Sequence, residues 1–306
     1  MNTRTLIQAS LLSVACAALA VAPSAEAAPT PTTTLQAARL APQVEADLKR
    51  QIAVARAADP GAFQSVRDVA LQAKDLDARA RGRKAPIALR LHAMGPKALL
   101  PMIEMVAFTE TEPAFKRDLV EAIGLFKDTR AMPVLTMLLD READEMTTRF
   151  VSQAVARQQS NEAVQVLTSR LTAASGARAT AILGGMGDCQ REAIAKVLAD
   201  RLSARPDEAT ARVIAKSLGG TGNAWAWKTM ATRTEESATR AAAARALVSA
   251  YAHYTGEARQ AASNAVMVVD APETTALIAA AKHGASADTV VALDALAARF
   301  ANNPSR

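Results

Sequence analysis

Aromatic residues are scarce in this chain. They make up 3% of its 306 residues, with two tryptophans and two tyrosines. Glycine and proline occur 13 times each, β-branched residues are few, and alanine is abundant. Because sheets favour β-branched and aromatic side chains and alanine is the strongest helix former, these shortages argue against a sheet-rich fold. The composition predicts an all-α protein.

Cysteine is rarer still, with only Cys16 and Cys189 in the sequence. Cys16 lies in a segment that we expect to be removed, so the mature chain would keep one thiol and form no intramolecular disulfide. An exported domain without disulfides must rely on a packed core, and the remaining length of about 280 residues is enough for one.

Residues 1–27 have the features of a secretory signal peptide. Arg4 precedes an apolar run over residues 6–22, and Ala25 and Ala27 supply the small residues that a signal peptidase requires. The alternatives are a membrane anchor, for which the run is short, and a lipoprotein attached through Cys16. No later segment is apolar enough to span a bilayer. We therefore expect an exported protein, periplasmic or secreted, with a stiff polar linker over residues 28–34.

Catalytic and metal-binding motifs are also missing. His92, His253 and His283 stand far apart and in no zinc-binding spacing, and no nucleophile elbow, P-loop or dinucleotide fingerprint occurs. LGGMGD (183–188) and LGGTGN (218–223) resemble phosphate loops but lack the preceding strand and the following lysine. We interpret both as helix C-terminal turns in which glycine adopts left-handed angles. The sequence predicts no catalytic residue, no metal and no cofactor.

Cys189 follows the first of these glycine turns and is expected to open a helix. A helix N-terminus can lower the pKa of a thiol, so this cysteine is either reactive or an inert residue in a turn.

Positive charge is concentrated in one stretch, within a net charge of +6. RARGRKAPIALR (79–90) contains Arg79, Arg81, Arg83, Lys84 and Arg90 and no acid. The stretch is either a solvated helix end and loop or a contact site for a polyanion, such as a lipid head group or an anionic envelope polymer. Because no aromatic side chains alternate with these cations, nucleic acid is not expected as a partner.

An internal repeat is the strongest feature of the sequence. Residues 113–140 contain two amphipathic helices joined by the turn KDTR, with Leu119 and Ile123 on one apolar face and Val134 and Leu135 on the other. Shifting these four positions by 32 residues in either direction again gives apolar residues, and offsets of 31 and then 32 carry the register to Met230. Four helices follow residue 232, but their pairing is ambiguous. Each hairpin has an apolar stripe that it cannot bury alone, so stacked hairpins would share one core.

The turn and second helix FKDTRAMPVLTMLL (126–139) resemble the short bacterial type of HEAT repeat, in which Arg-Ala-Val-Pro and paired aliphatic residues follow a tight turn. The resemblance covers residues 86–232 well and residues 233–300 weakly. It implies a fold whose members most often bind proteins, although some similar repeats belong to lyases that attach bilin chromophores. It carries over no catalytic residue.

We therefore predict a right-handed α-solenoid of about six helical hairpins, in repeats of 31–33 residues, over residues 86–300. Residues 35–85 would form an N-terminal helical cap with two or three helices, interrupted at Pro42 and at Asp59-Pro60-Gly61, and residues 301–306 would form a tail.

Both tryptophans lie in SLGGTGNAWAWKTM (217–230), which we interpret as the turn and the start of the second helix of the fifth hairpin. Residues two apart on a helix point about 200° apart. We predict that Trp227 is buried against the neighbouring repeat and that Trp225 faces solvent, where it could anchor a partner.

The sequence as a whole favours a non-catalytic scaffold of the bacterial cell envelope that binds a protein or peptide in the groove of the solenoid. One alternative is an enzyme or lyase-like accessory factor with a site in that groove. A deep cavity holding two or more titratable groups would favour it. Another is polyanion binding through residues 79–90.

Overall fold

The computed structural model describes residues 38–79 and 87–304, which belong to one unit, Leu35–Arg306. These residues form helices joined by short turns, and no strand occurs among them. The first two helices begin at the prolines expected to interrupt the N-terminal cap: α1 (Pro42–Ala58) and α2 (Pro60–Arg79). Proline is favoured in the first turn of a helix because the N–H that it lacks would have no helical partner there.

Shorter helices follow and alternate with tight turns. They are α3 (Ile87–Ala93), α4 (Leu99–Phe108), α5 (Pro113–Phe126), α6 (Met132–Arg141), α7 (Glu145–Ala156), α8 (Asn161–Ala173), α9 (Gly176–Gly185), α10 (Glu192–Ser203) and α11 (Glu208–Thr221). The predicted KDTR turn separates α5 from α6. Lys127 ends α5 in the left-handed conformation (φ 52°), and the Asp128 carboxylate accepts a hydrogen bond of 2.9 Å from the Arg130 amide.

The last helices are α12 (Ala224–Lys228), α13 (Glu236–His253), α14 (Gly256–Val269), α15 (Thr274–Ala281) and α16 (Ala287–Ala301). The prediction for the fifth hairpin is wrong. The helix that holds both tryptophans, α12, has only five residues. The position expected for the second helix of that hairpin, in contact with α10 and α11, is taken by α13.

The helices make two series of contacts along the chain. In the first series, α3, α5, α7, α9, α11, α14 and α16 each contact the next member. In the second series, α4, α6, α8, α10, α13 and α15 do the same. Each helix of the second series also contacts the first-series helix that follows it in the chain, for example α6 with α7 and α10 with α11. α1 contacts α4, and α2 contacts α3 and α4, at the N-terminal end of both series.

Most of the apolar positions that define the repeat lie in the core. Leu119, Val151, Ile182 and Ile214, which occupy one register position in four successive units, are all at most 1% exposed. The matched positions of the second helices, such as Leu135, Leu167 and Leu198, are fully buried as well. Burial of a side chain of this size contributes about 1.5–3 kcal/mol, so each of these repeated positions stabilises the packing of its helix.

The prediction that glycines adopt left-handed angles in turns at residues 183–188 and 218–223 is also wrong. Gly184 and Gly185 lie within α9, Gly219 and Gly220 lie within α11, and none of these four has a positive φ. Gly185, Gly219 and Gly220 allow close packing instead of a left-handed turn. A Cβ at Gly185 would lie 2.7 Å from the Arg149 carbonyl oxygen on α7, and a Cβ at Gly220 would lie 2.6 Å from the Gly187 carbonyl oxygen.

Candidate functional site

Trp225 and Trp227 differ in exposure as predicted. Trp225 is 63% exposed and Trp227 is 1% exposed. The side chain of Asn223 caps α12, with its Oδ1 accepting hydrogen bonds from the amides of Trp225 (2.9 Å) and Ala226 (3.3 Å). The indole Nε1 of Trp227 donates to the Thr221 carbonyl oxygen at 3.1 Å. The buried tryptophan thereby fixes the short helix to the end of α11, and the exposed one projects from it.

The exposed indole borders a surface depression of about 280 Å³. We call this depression the Trp225 surface; it is lined by Asn223, Ala224, Trp225, Lys228, Arg240, Met267, Val268, Asp270 and Asn303. The Lys228 ammonium lies 4.4 Å from the centre of the Trp225 ring, a cation–π contact between residues three apart on α12. Val268 on α14 is also exposed, at 43%. Two large apolar side chains and one cation therefore face solvent together.

Arg240 on α13 positions the α14 side of this surface. Its Nε donates to the Val269 carbonyl oxygen at 3.0 Å, its guanidinium also bonds the Asp270 carbonyl oxygen, and Glu236 pairs with it at 2.8 Å. Asp270 ends α14 in the left-handed conformation (φ 44°). Cations next to the last carbonyl groups of a helix satisfy acceptors that have no helical donor. Arg240 thus anchors the C-terminal end of α14, the helix that carries Val268 at this surface.

The basic stretch predicted as a polyanion site falls mostly outside the described residues. Arg79 is the last residue of α2, whereas Arg81, Arg83 and Lys84 lie in the undescribed segment between α2 and α3. Arg90 is exposed on α3. The predicted signal peptide at residues 1–27, with Cys16, and the predicted linker at residues 28–34 also lie outside the described residues.

Cys189 does not open a helix. It is the residue after a turn of 3-10 helix, and α10 begins three residues later, at Glu192. The thiol is fully buried, and burial raises its pKa to about 12. A thiolate is therefore disfavoured at this position, which agrees with the inert alternative and not with the reactive one.

The histidines pack against aromatic rings or lie in a turn. The His92 ring lies 4.7 Å from that of Phe126, and the His253 ring lies 4.8 Å from that of Tyr254. His283 lies in the turn after α15. Among residues 38–72 and 87–304, whose side chains the structure describes, no three His, Cys, Asp or Glu side chains are grouped so that they could hold a metal ion.

A polar cluster in the turns was missed by the sequence analysis. The Gln159 amide nitrogen donates to the Asp188 carbonyl oxygen (2.6 Å) and to the Gln190 side chain (2.7 Å), and its oxygen accepts from the Gln190 backbone amide (2.9 Å). Arg191 continues the cluster to Glu235, with Nε 3.0 Å from Oε1. Gln159 and Gln190 are 31 residues apart, which is the repeat offset of this region, so aligning the polar as well as the apolar positions would have identified the pair.

This cluster borders a second cavity, of about 390 Å³, which Trp227 also lines. It contains two titratable groups, Arg191 and Glu235, but both oxygens of Glu235 are already used. Oε1 accepts from Arg191, and Oε2 accepts from the Glu192 backbone amide at 2.7 Å. The arrangement connects successive turns through satisfied hydrogen bonds.

No protein-family model and no curated protein matches this sequence. Among the described residues, every helix is too short or too polar to cross a membrane.

Proposed function

We propose that this protein is an exported, non-catalytic scaffold of the cell envelope that binds another protein. Its architecture would be a right-handed, HEAT-like solenoid of about six hairpins. The paired contact series support this proposal, because each helix contacts its counterpart one hairpin further along the chain. In this assignment α12 is an insertion within the fifth hairpin, α16 closes the C-terminal end, and α1 and α2 cap the N-terminal end.

The single observation that carries the binding function is the exposed indole of Trp225 next to Val268 and Lys228. A tryptophan that leaves most of its surface in water forgoes the stabilisation that burial would give it. Tryptophan is also among the residues that contribute most when an interface forms around them. We propose that the Trp225 surface takes an apolar side chain of a partner protein, with an acidic residue of that partner next to Lys228.

The enzyme alternative, including a lyase-like accessory factor, has less support. The cavity beside the polar cluster of the turns holds two titratable groups, Arg191 and Glu235, but the carboxylate of Glu235 is consumed by hydrogen bonds within the fold. Polyanion binding through residues 79–90 remains a third proposal. The proposal of export depends on residues 1–27, which have the features of a secretory signal peptide. The alternative is a lipoprotein that is attached to a membrane through Cys16.

Site-specific photo-crosslinking in the native cells tests the binding proposal. A photoreactive amino acid is placed at Trp225 of the full chain and, as the control, at Val291, an apolar residue of α16 that is 69% exposed. We expect one defined adduct from position 225 that position 291 does not form. Its formation should also be lost when Val268 is changed to Asp.

Two results would contradict the proposal. One is equal crosslinking from positions 225 and 291. The other is an adduct that Val268→Asp and Lys228→Glu leave unchanged, since both substitutions alter the surface on which the partner would lie.

A further inference from the structure

A separate cavity of about 280 Å³ lies over α9, between α7 and α11. We call it the α9 groove. Its lining includes Arg149, Thr180, Gly184, Asp188, Arg212 and Lys216. These residues come from three consecutive helices of the first contact series and from the turn after α9. None of them belongs to the Trp225 surface or to the basic stretch at residues 79–90.

The floor of the α9 groove is low because α9 presents small residues there. Thr180, Ala181 and Gly184 follow at helical spacing, while the neighbouring helices carry long side chains at the same level. A Cβ at Gly184 would meet the Arg149 Nε and a methyl group of Val213 at 3.4 Å each. The guanidinium of Arg149 therefore lies directly above the bare backbone of Gly184.

Two cations of the groove have no carboxylate partner in the described part of the chain. Arg149 on α7 and Lys216 on α11 are exposed, and neither has a described carboxylate oxygen within 4.0 Å. Arg212, one turn before Lys216, pairs with Glu257 of α14.

Two carboxylates also line the groove, and both are stabilised by the fold itself. Asp188 accepts from Arg157 at 2.7 Å and from Gln153 at 2.9 Å, so the fold already neutralises it. Glu145 lies in the first turn of α7, where the helix dipole stabilises a negative charge. The guanidinium of Arg149 on α7 and the ammonium of Lys216 on α11 are therefore the cations of this groove that the described carboxylates leave unpaired.

We propose that the α9 groove binds a phosphate group. A guanidinium binds two phosphate oxygens with paired N–H donors, and a lysine ammonium adds a mobile point charge from the other side. The Thr180 hydroxyl now makes only a long hydrogen bond of 3.3 Å to the Gly176 carbonyl oxygen, and rotation allows it to donate to a third oxygen. The cavity lies just below the range of about 300–1,000 Å³ that is usual for drug-sized ligands, which suits a single headgroup.

The phosphate could belong to a free anion or to a phospholipid headgroup, and two measurements distinguish these sources. In the first, inorganic phosphate is titrated into the full chain at constant ionic strength, with chloride as the reference, and binding is followed by amide NMR shifts. We expect saturable shifts in α7, α9 and α11. The double variant Arg149→Gln/Lys216→Gln should weaken the affinity at least tenfold, whereas Arg245→Gln, an exposed arginine of α13, should leave it unchanged.

The second measurement is sedimentation with vesicles of phosphatidylglycerol or of phosphatidylcholine. Binding to the anionic vesicles that the double variant loses identifies a headgroup, and phosphate shifts without vesicle binding identify a free anion. Both substituted side chains are exposed, and an unchanged melting temperature checks that the double variant is folded. The proposal is overturned if phosphate acts no differently from chloride and vesicles do not bind, or if the double variant retains all the binding that is seen.

Discussion

At the scale of single residues, two adjacent glycines of α9 have opposite surroundings. A Cβ at Gly185 would collide with the backbone of α7, 2.7 Å from the Arg149 carbonyl oxygen and the Gln153 nitrogen, whereas at Gly184 it would make ordinary contacts at 3.4 Å. We expect Gly185→Ala to lower the free energy of unfolding by about 1–3 kcal/mol, because two backbones must separate. Gly184→Ala should raise it by up to about 1 kcal/mol, because alanine favours the helix.

Urea denaturation of the two variants measures both effects, and each variant is the other's control. They share the substitution and the helix, so a propensity effect alone would make them equal. Equal changes in the free energy of unfolding would mean that α7 and α9 are not in close contact at Gly185.

These glycines also illustrate what the sequence could not predict. A glycine needed for a left-handed turn and a glycine needed for a close helix contact have the same signature when only the local sequence is read. The distinguishing fact is the position of a neighbouring helix, such as Ala265 of α14 beside Gly219, which is 46 positions further along the chain. The exposure of the two tryptophans was predictable, because their relative direction depends on helix geometry alone.

At the scale of helices, the sequence predicted the positions and buried faces of the amphipathic helices, but it did not predict which helices the alanine-rich α13 packs against. α5 and α6 fall on either side of the predicted turn, and their apolar stripes identify the buried faces. In contrast, α13 carries alanine on several sides, and Ala243, Ala244, Ala246 and Ala250 are all buried. Since alanine is apolar wherever it lies, such a helix has no stripe that indicates its neighbours.

The N-terminus of α7 provides a prediction about pH. The carboxylate of Asp144 caps this helix, with Oδ2 accepting from the Thr147 hydroxyl (2.6 Å) and backbone amide (2.7 Å). These hydrogen bonds hold the pKa of Asp144 below its ordinary value of 3.8. The stabilisation is therefore fully present above that value and is lost as the pH falls through the lower pKa of the folded state.

We expect Asp144→Ala to cost about 1 kcal/mol of unfolding free energy near neutral pH. The difference from the natural protein should begin to shrink below about pH 4 and vanish as the pH falls through the lower pKa of the folded state, where the natural cap becomes protonated. Asp144→Asn is the control, since its amide oxygen still accepts a hydrogen bond but has no charge to lose. A cost for Asp144→Ala that stays constant down to acid pH would show that the charge has no part in the cap.

At the scale of the whole molecule, the polar cluster of the turns connects one repeat to the next. Gln159 takes the left-handed conformation (φ 57°) in the turn after α7, from which its side chain bonds the turn after α9. Gln190 extends the connection to the Gly220 carbonyl oxygen at 3.2 Å. The repeat in the sequence predicted which helices are neighbours only as far as α11. These side-chain bonds depend in addition on how far each turn projects, and apolar periodicity carries no information about that.

The solenoid proposal predicts which helices lose stability when a hydrogen bond of this cluster is removed. In a stack of hairpins each unit contacts only its neighbours, so local destabilisation should stay local. Gln159→Asn tolerates the left-handed angle but is too short to reach the Gln190 amide, leaving a buried donor unpaired at a cost of about 1–3 kcal/mol. We expect faster hydrogen exchange in helices α7 to α11, with exchange in α1, α2, α15 and α16 unchanged.

The control is Arg245→Gln, an exposed change on α13, which should alter the exchange of no helix. If exchange instead rose uniformly along the chain, the helices would form one cooperative unit and not a stack of repeats.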